Sequence, residues 1–473
     1  MSKVLLVNSN RMQPPVAPLA LDYLAAALAE HLFQVDILDL CFSQDIASDI
    51  ARYFTTADVS SIGVTLRNTD DTYFASRDFF IPALKQVTDC LKAHSAAPIV
   101  LGGAGFSIMP EAVLEYCGLD LGIWGEGEYA FPLLCSRLET GQTFTDVPGL
   151  IYRDGQGFKR NPPHYIELER MHAPKRGAVH NARYFTEGAM GNLETKRGCP
   201  QLCAYCGDPL SKGHKMRLRS PRSVADEMAS LLAAGIDHFH FCDSEFNLPE
   251  GHARDVCLAL IERGLGERVR WYAYLSPAPF SDELAELFCK AGCAGIDFGA
   301  DSGCDAMLEA LGRPFTTADL ERTAAICHRH GIVFMYDLLL GGPGETHETL
   351  KQTIDFMKRI SPDRVGAALG VRVLHGTDLA AGLRRQGPFS ANPNLHGATT
   401  GNDSLLAPIF YVSSELGEDP QGYLQGLIGE DERFFVGAKA DADQNYNYNM
   451  NDVLVNAIKR GYRGAFWDIL RRL

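Results

Sequence analysis

The chain has 473 residues, 46% hydrophobic and 22% charged, the balance of a soluble globular protein too long for one compact core. A formal net charge of −15 excludes a general nucleic-acid binder, because phosphate contacts need a basic surface. No apolar run approaches the length that crosses a bilayer, and the thirteen cysteines, odd in number and widely spread, fit reduced thiols in a cytoplasm.

The opening "MSKVLLVNSNRM" reads as a short buried strand after one lysine, lacking the long apolar stretch and cleavage site of an export signal. Further apolar runs follow at 34–40, 61–66, 98–103 and 120–127, separated by helical patterns at 18–31, 78–93 and 110–117. Five strands joined by helices predict a doubly wound parallel sheet, flavodoxin- or Rossmann-like, over 1–144. Ligands bind at the carboxyl ends of such strands, which here carry "VNSNRM", "TLRNTDD", "LGGAGFS" and "WGEGEYA". Residues 145–188 form a connector rich in Pro, Gly and charge, whose apolar alternation predicts a hairpin.

From "NLETKRG" (192–198) the alternation resumes, with strands at 238–242, 271–275, 294–299, 332–340 and 364–374. Helices fall between them at 221–234, 250–264, 281–291, 318–330 and 346–359. Six strands with right-handed crossovers predict a partial (β/α)6 barrel over 189–380, with functional residues just after the strands. Cys289 and Cys293 read as core, at a helix end with apolar neighbours. Residues 381–473 are read as a small α+β C-terminal domain that caps the site and meets the substrate. It ends in a helix with Asp452 as N-cap and Gly461 as terminator, anchored by Trp467.

"TKRGCPQLCAYCGDP" (195–209) gathers Cys199, Cys203 and Cys206 within eight residues. Zinc, disulfides and an iron–sulfur cluster are the open readings. Disulfides conflict with a reducing compartment. Structural zinc wants four ligands, and the nearest fourth is His214. Three thiolates suit a four-iron cluster with one iron left for an outside ligand.

The Cys-x3-Cys-x2-Cys spacing, with Tyr205 before the last cysteine and the first barrel strand just upstream, resembles the signature of radical S-adenosylmethionine (SAM) enzymes. The resemblance implies that Cys199, Cys203 and Cys206 hold a [4Fe-4S] cluster whose open iron is chelated by SAM. An electron from the cluster then cleaves SAM to a 5′-deoxyadenosyl radical. Tyr205 joins the implied SAM set, as do Asp243, Ser244 and Glu245 of "FCDSEFNLP" for the amino group. Asp301 and Ser302 of "FGADSG" match the ribose and carboxylate contact, although many relatives carry Glu at the position of Asp301. Gly341 and Gly342 of "LLLGGPGET" resemble the turn beside the adenosyl group, and Arg372, with His375, falls near the adenine end. The plain alternative for each carboxylate is a helix cap.

The first segment is similar to the cobalamin-binding domain fused ahead of many such enzymes, through 14–30, 99–111, 122–134 and 147–155. The positions this offers to cobalamin are Pro18, Leu19, Thr65, Arg67, Asn68, Gly102, Gly103, Ala104, Ser107, Gly125, Glu126, Gly127 and Glu128. A flavodoxin-like domain without cofactor is the alternative; no G-x-G-x-x-G follows the first strand. No Asp-x-His-x-x-Gly occurs, so no such histidine ligates cobalt from below. Arg67, with Asn68 next, ends the third strand where a residue faces that lower side, and a fixed cation cannot donate to cobalt. Pairing of Arg67 with Asp70 or Asp71 is the competing reading.

Together these resemblances imply a cobalamin-dependent radical SAM methyltransferase. It would move methyl from methylcobalamin to a carbon of a small molecule, a natural-product or cofactor precursor. Alternatives are a non-methylating rearrangement or cyclisation, methylation without a 5′-deoxyadenosyl radical, and a non-catalytic corrinoid or Fe–S module. Expected partners are the small-molecule substrate and a one-electron reductant such as flavodoxin or ferredoxin, with neither nucleic acid nor membrane. Tyr446 and Tyr448 of "NYNYN" are candidate substrate contacts, against a surface hairpin packed by its tyrosines.

Overall fold

The computed structural model describes residues 2–170, 176–436 and 447–473. "KVLLVN" is apolar throughout because a central parallel strand is covered on both faces. It forms β1 (Lys3–Asn8), flanked by β2 (Gln34–Asp39) and β3 (Ser61–Thr65). With β4 (Ile99–Gly102) and β5 (Leu121–Ile123) the parallel order is β2-β1-β3-β4-β5, as expected of a flavodoxin-like sheet. The reversal of winding between β1 and β3 opens a crevice at their carboxyl ends.

The connector forms its hairpin, β6 (Leu150–Asp154) and β7 (Gly157–Arg160). That hairpin pairs antiparallel onto β5 and extends the sheet to seven strands. The expected boundary at residue 144 therefore falls inside one continuous sheet.

The second sheet is fully parallel. It runs β8 (Gly191–Leu193), β9 (His238–Phe241), β10 (Arg270–Leu275), β11 (Cys293–Asp301), β12 (Phe334–Leu340), β13 (Arg364–Leu369) and β14 (Phe434–Val436), each hydrogen-bonded to the next. The six expected strands are present, and β14 adds a seventh from the region read as a separate C-terminal domain. Period-two alternation sorts the two faces. Phe239, Phe241, Trp271, Phe298, Phe334 and Tyr336 point outward into one buried layer beneath the helices. His240, Tyr272, Tyr274, Asp297 and Asp337 line the concave interior. A polar inner face under an apolar outer one marks the interior as a site rather than a core.

The rest of the C-terminal region packs against both halves. Val371–Arg372, Leu395–Gly397 and Ile409–Tyr411 form a small antiparallel sheet that shares a core with the N-terminal sheet. The helix Asp452–Lys459 is capped by Asn451, one residue before the expected Asp452, through its side chain to the Leu454 amide. Trp467 is buried against Tyr272, as its anchor reading requires. Cys293 is half-buried and packs against the barrel core, whereas Cys289 is exposed on the outer side of its helix end, so the core reading fails for Cys289 alone.

The two sheets are locked together by buried charge. Arg176 reaches Asp22 at 2.7 Å and Glu227 at 2.8 Å, and Arg219 reaches Glu227 at 2.8 Å. Such a network fixes orientation, since a misplaced half would strand a buried charge.

Candidate functional site

Gly198 has φ 93°, and a Cβ there would sit 2.2 Å from the Lys215 carbonyl, so only glycine lets the cysteine loop close on 213–215. The Cys199 amide then donates to the Gly213 carbonyl, and the Ala204 amide to the Leu311 carbonyl. All three thiols are free, and burial pushes Cys199 up to about 11, Cys206 up to about 12 and Cys203 upward as well. Against that burial, the Arg313 guanidinium donates to Cys203 Sγ at 2.8 Å and draws it toward the thiolate. Among the described residues no three Cys, His, Asp or Glu side chains gather as they would around a single ion. The three thiols lie within electrostatic reach of one another, and a cubane takes each thiolate on a different iron, so three neighbouring thiols with a cation beside one of them fit that group.

Arg313 organises the rim. Its Nη2 donates to the Gly299 carbonyl at 2.7 Å, and it lies 3.3 Å from Asp301 and 3.7 Å from Glu245. Tyr205 donates to Asp301 at 2.6 Å. Asp301 itself holds φ 60°, a left-handed backbone at a register shift between β11 and β12, strain of the kind stored at functional sites. Burial pushes the Glu245 carboxyl up to about 7, with Arg313 pulling the other way. Tyr205, Glu245 and Asp301 are therefore gathered beside the cysteine loop. Gly341 and Gly342 form the turn after β12, the Gly341 amide donating to Glu345 at 2.9 Å.

Four of the expected SAM contacts are spent elsewhere. Asp243 accepts from the Thr195 amide (2.8 Å) and hydroxyl (2.5 Å) and pairs with Lys196 at 3.1 Å, so it anchors the approach to the loop. Ser244 donates to Asp208. The Ser302 hydroxyl meets Thr353 at 2.8 Å and caps the Cys304 amide. Arg372 is buried in an ion pair with Asp70 at 2.9 Å and donates to the carbonyls of Val373, Leu405 and Leu406.

On the first sheet, a narrow apolar slot of about 70 Å³ lies between the strands and the helix Leu19–Glu30. Thr65, Gly102, Gly103 and Gly127 line it, with Leu6, Gly63 and Phe131. Gly103, at φ 104°, brings its loop so close to the Leu66 carbonyl that a Cβ would stand 2.5 Å away. A flat aromatic tail fits such a slot. Pro18 and Leu19 start the helix, but Ala20, Leu21 and Leu24 do the lining. Ala104 follows in the Gly103 loop. Ser107 donates to the Gly103 carbonyl and accepts from the Gly125 amide, tying two loops. Glu126 and Glu128 are engaged by Arg197, and Glu126 also by Arg217, across the join between the halves. These three side chains brace the cradle instead of facing its ligand.

A cavity of about 450 Å³ lies where the carboxyl ends of the first sheet meet the barrel interior. Arg67 and Asn68 enter it from after β3; His240, Cys242, Tyr274, Asp297 and Asp337 enter from the barrel. Tyr448, Phe466 and Trp467 close it from the C-terminal region, while Tyr446 lies outside the described residues. Arg67 pairs with neither expected carboxylate: Asp70 is held by Arg372, and Asp71 by Ser76 and Asn447. Its own guanidinium meets Met12 Sδ at 3.4 Å. Burial lowers His240 to about 4, leaving it neutral. Burial and the neighbouring Asp337 push the Asp297 carboxyl well up. Sequence reasoning missed Arg313, Asp297 and Asp337. For the two aspartates the signal was a charge inside otherwise apolar runs, "AGIDFG" and "VFMYDLLL"; Arg313, in a loop between helices, carried none.

Two family models match the chain, the Radical SAM superfamily over residues 193–357 and the B12 binding domain over residues 7–135. The tryptophan 2-C-methyltransferase of Streptomyces laurentii is 31% identical, the alignment covering 98% of this chain and 95% of the relative. Among solved structures, the radical S-adenosylmethionine methyltransferase TsrM from Kitasatospora setae, with tryptophan and the SAM analogue aza-SAM bound, superposes with a TM-score of 0.94. It is 30% identical, covering 100% of this chain and 98% of that one. The same enzyme with cobalamin and a [4Fe-4S] cluster bound gives a TM-score of 0.92 at 30% identity, with the same coverage.

Proposed function

The chain belongs to the cobalamin-dependent radical SAM methyltransferases, and within that family we propose that it methylates a ring carbon of a small aromatic molecule of the tryptophan kind. It is a C-methyltransferase, and its cofactors are a [4Fe-4S] cluster, SAM and cobalamin. When bound, the cluster supplies an open iron for SAM, and cobalamin carries the methyl group to the acceptor carbon.

The observation that carries the substrate reading is the wall of the central cavity. Tyr272, Tyr274, Tyr448, Phe466 and Trp467 all line it, where the barrel interior faces the first sheet. Planar side chains on several sides orient a planar guest and keep water from it.

The chain's own residues take these roles in the proposal. Cys199, Cys203 and Cys206 hold the cluster, with Arg313 biasing Cys203 toward thiolate. Glu245, Asp301 and Tyr205 stand beside the loop to orient SAM, and the Gly341–Gly342 turn lets backbone approach it. The slot lined by Thr65, Gly102, Gly103 and Gly127 takes the cobalamin tail. Arg67 and Asn68 face the cofactor from after β3, and a guanidinium has no lone pair to offer cobalt. A Co(II) electron paramagnetic resonance spectrum with nitrogen superhyperfine splitting would overturn that role. The first sheet with its hairpin serves cobalamin, the barrel serves SAM, and the residues beyond 370 close the substrate space. A flavodoxin or ferredoxin supplies electrons in a cytoplasmic setting; the acidic surface suits neither nucleic acid nor an anionic membrane. Among the described residues no helix is long and apolar enough to cross a membrane.

The test is anaerobic reconstitution with iron, sulfide and hydroxocobalamin, then SAM, reductant and tryptophan. Methyltryptophan with matching S-adenosylhomocysteine is expected, and 5′-deoxyadenosine is quantified alongside. Bound cobalamin with SAM consumed but tryptophan untouched would overturn the substrate.

A further inference from the structure

We propose that Asp297 and Asp337 form the seat for a cationic amine of the substrate, so that this enzyme selects ammonium-bearing molecules.

The two carboxylates come from neighbouring strands of the barrel. Asp297 pairs in register with Met335 and Gly299 with Asp337, which makes Asp337 the diagonal neighbour of Asp297 on the same inner face. Both line the central cavity. Asp297 is only 4% exposed, yet its Oδ1 has no hydrogen-bond partner among the described residues. No lysine or arginine among them forms an ion pair with it either. A buried carboxylate without a donor or a counter-charge is costly. In the empty site that cost favours the protonated acid, which is why burial and Asp337 push the Asp297 carboxyl well up; a cation with N–H donors in the cavity lets it ionise and accept.

The chemistry of the surroundings narrows the cation. Tyr272 and Tyr274 from β10, His240 from β9 and Tyr448 from the C-terminal region face the same space. His240 is neutral and cannot supply the charge. Arg67 is the cation among the lining residues and stands after β3, in the other sheet. Among the described residues no three His, Cys, Asp or Glu side chains are placed to hold a metal ion, and two carboxylates alone are too few oxygens for a divalent one. Aromatic faces next to two carboxylates suit an alkylammonium, which uses both the hydrogen bonds and the ring quadrupoles. The sulfonium of SAM has no N–H to give Asp297, and its amino group belongs at the strand ends, beside the cysteine loop, Glu245 and Asp301. Asp297 is four residues before Asp301 along β11, and across the register shift those four span three residues of β12, which places it about 10 Å deeper.

This inference rests on reading the cavity as the substrate space, and its test separates the two. Binding to the reconstituted holoenzyme is measured by calorimetry for two matched pairs: tryptamine against indole-3-ethanol, and hexylamine against hexanol. In each pair the amine is expected to bind about tenfold or more tightly than its alcohol. Asp297→Asn is expected to bring that ratio near one, with cluster iron, cobalamin content and SAM affinity unchanged. Asp337→Asn provides a second variant with the same expectation. Alcohols that bind as well as amines, or amines that do not bind at all, would overturn the ammonium seat. An indole pair no tighter than the aliphatic pair would instead overturn the aromatic substrate while leaving the seat standing.

Discussion

Arg313 and Cys203 meet side chain to side chain, guanidinium Nη1 to Sγ at 2.8 Å, although 110 positions separate them in the chain. Arg313 comes from the segment between two barrel helices, so barrel closure itself delivers a cation to the cysteine loop. The same guanidinium lies beside Asp301 and Glu245, balancing the negative charge gathered there.

Arg313→Ala should therefore weaken cluster retention by about 10- to 100-fold, the usual cost of losing a partner that orients a metal ligand. Arg313→Lys keeps the charge but not the planar fork and should fall between. Iron and sulfide content after gel filtration, with the reduced-cluster EPR signal, reads the effect. Full iron content in the alanine variant would show that the thiol contact has no bearing on the cluster.

Arg372 and Asp70 form a second long-range pair, separated by 302 positions. Arg372→Met leaves Asp70 buried without its partner and should cost about 3–5 kcal/mol. Adding Asp70→Asn should recover part of that loss. Thermal unfolding of the apoprotein measures both. SAM affinity at the surviving holoenzyme should not change, because the Arg372 guanidinium is bound to Asp70 and backbone carbonyls; a selective loss of SAM binding would restore the adenine-end reading.

The cysteine loop was legible because its information is local: three thiols, a glycine and a tyrosine within one short run. The strands of both sheets were legible for the same reason, as apolar runs between helical patterns. What could not be read was which acids remain available. Asp243 and Glu245 are two residues apart, yet Lys196 and Thr195 consume the first and leave the second to face Arg313. Asp297 and Asp337 acquire meaning only once the inner face of the barrel is known. The hairpin at 150–160 and the strand at 434–436 were assigned away from the sheets they join, because an edge pairing leaves no trace in a strand's own pattern.

Gly102 tests the cobalamin slot without touching the cluster. It lines the slot, its φ is ordinary, and a Cβ there would meet nothing nearer than the Ile123 carbonyl at 3.6 Å. Gly102→Val should therefore fold, while its methyl groups occupy a space of only about 70 Å³. Cobalamin affinity by equilibrium dialysis should drop at least tenfold, about the cost of one misplaced methyl in a filled pocket, with iron content intact. The triple alanine variant at Cys199, Cys203 and Cys206 should do the reverse, losing iron and keeping cobalamin. If either variant loses both cofactors together, the slot and the loop are not independent sites.

Glu345 gives the chain a pH-dependent stability. It is fully buried beneath the Gly341 turn, and burial raises its carboxyl from 4.5 to about 7, partly offset by bonds from the Gly341 amide and the Thr349 hydroxyl. The folded chain thus holds this proton more tightly than the unfolded chain does. The stabilisation is complete below the unfolded value, and it is lost as pH rises through about 7, after which it stays level. Glu345→Gln keeps an acceptor for the Gly341 amide and removes the titration. Its unfolding free energy should lack the fall between pH 5 and 7 and should exceed wild type above that range by at most about 3 kcal/mol. Chemical denaturation of both proteins across pH 5 to 8 decides the matter, since every other titrating group is common to the two. Parallel curves would mean that the Glu345 carboxyl is already ionised in the folded chain.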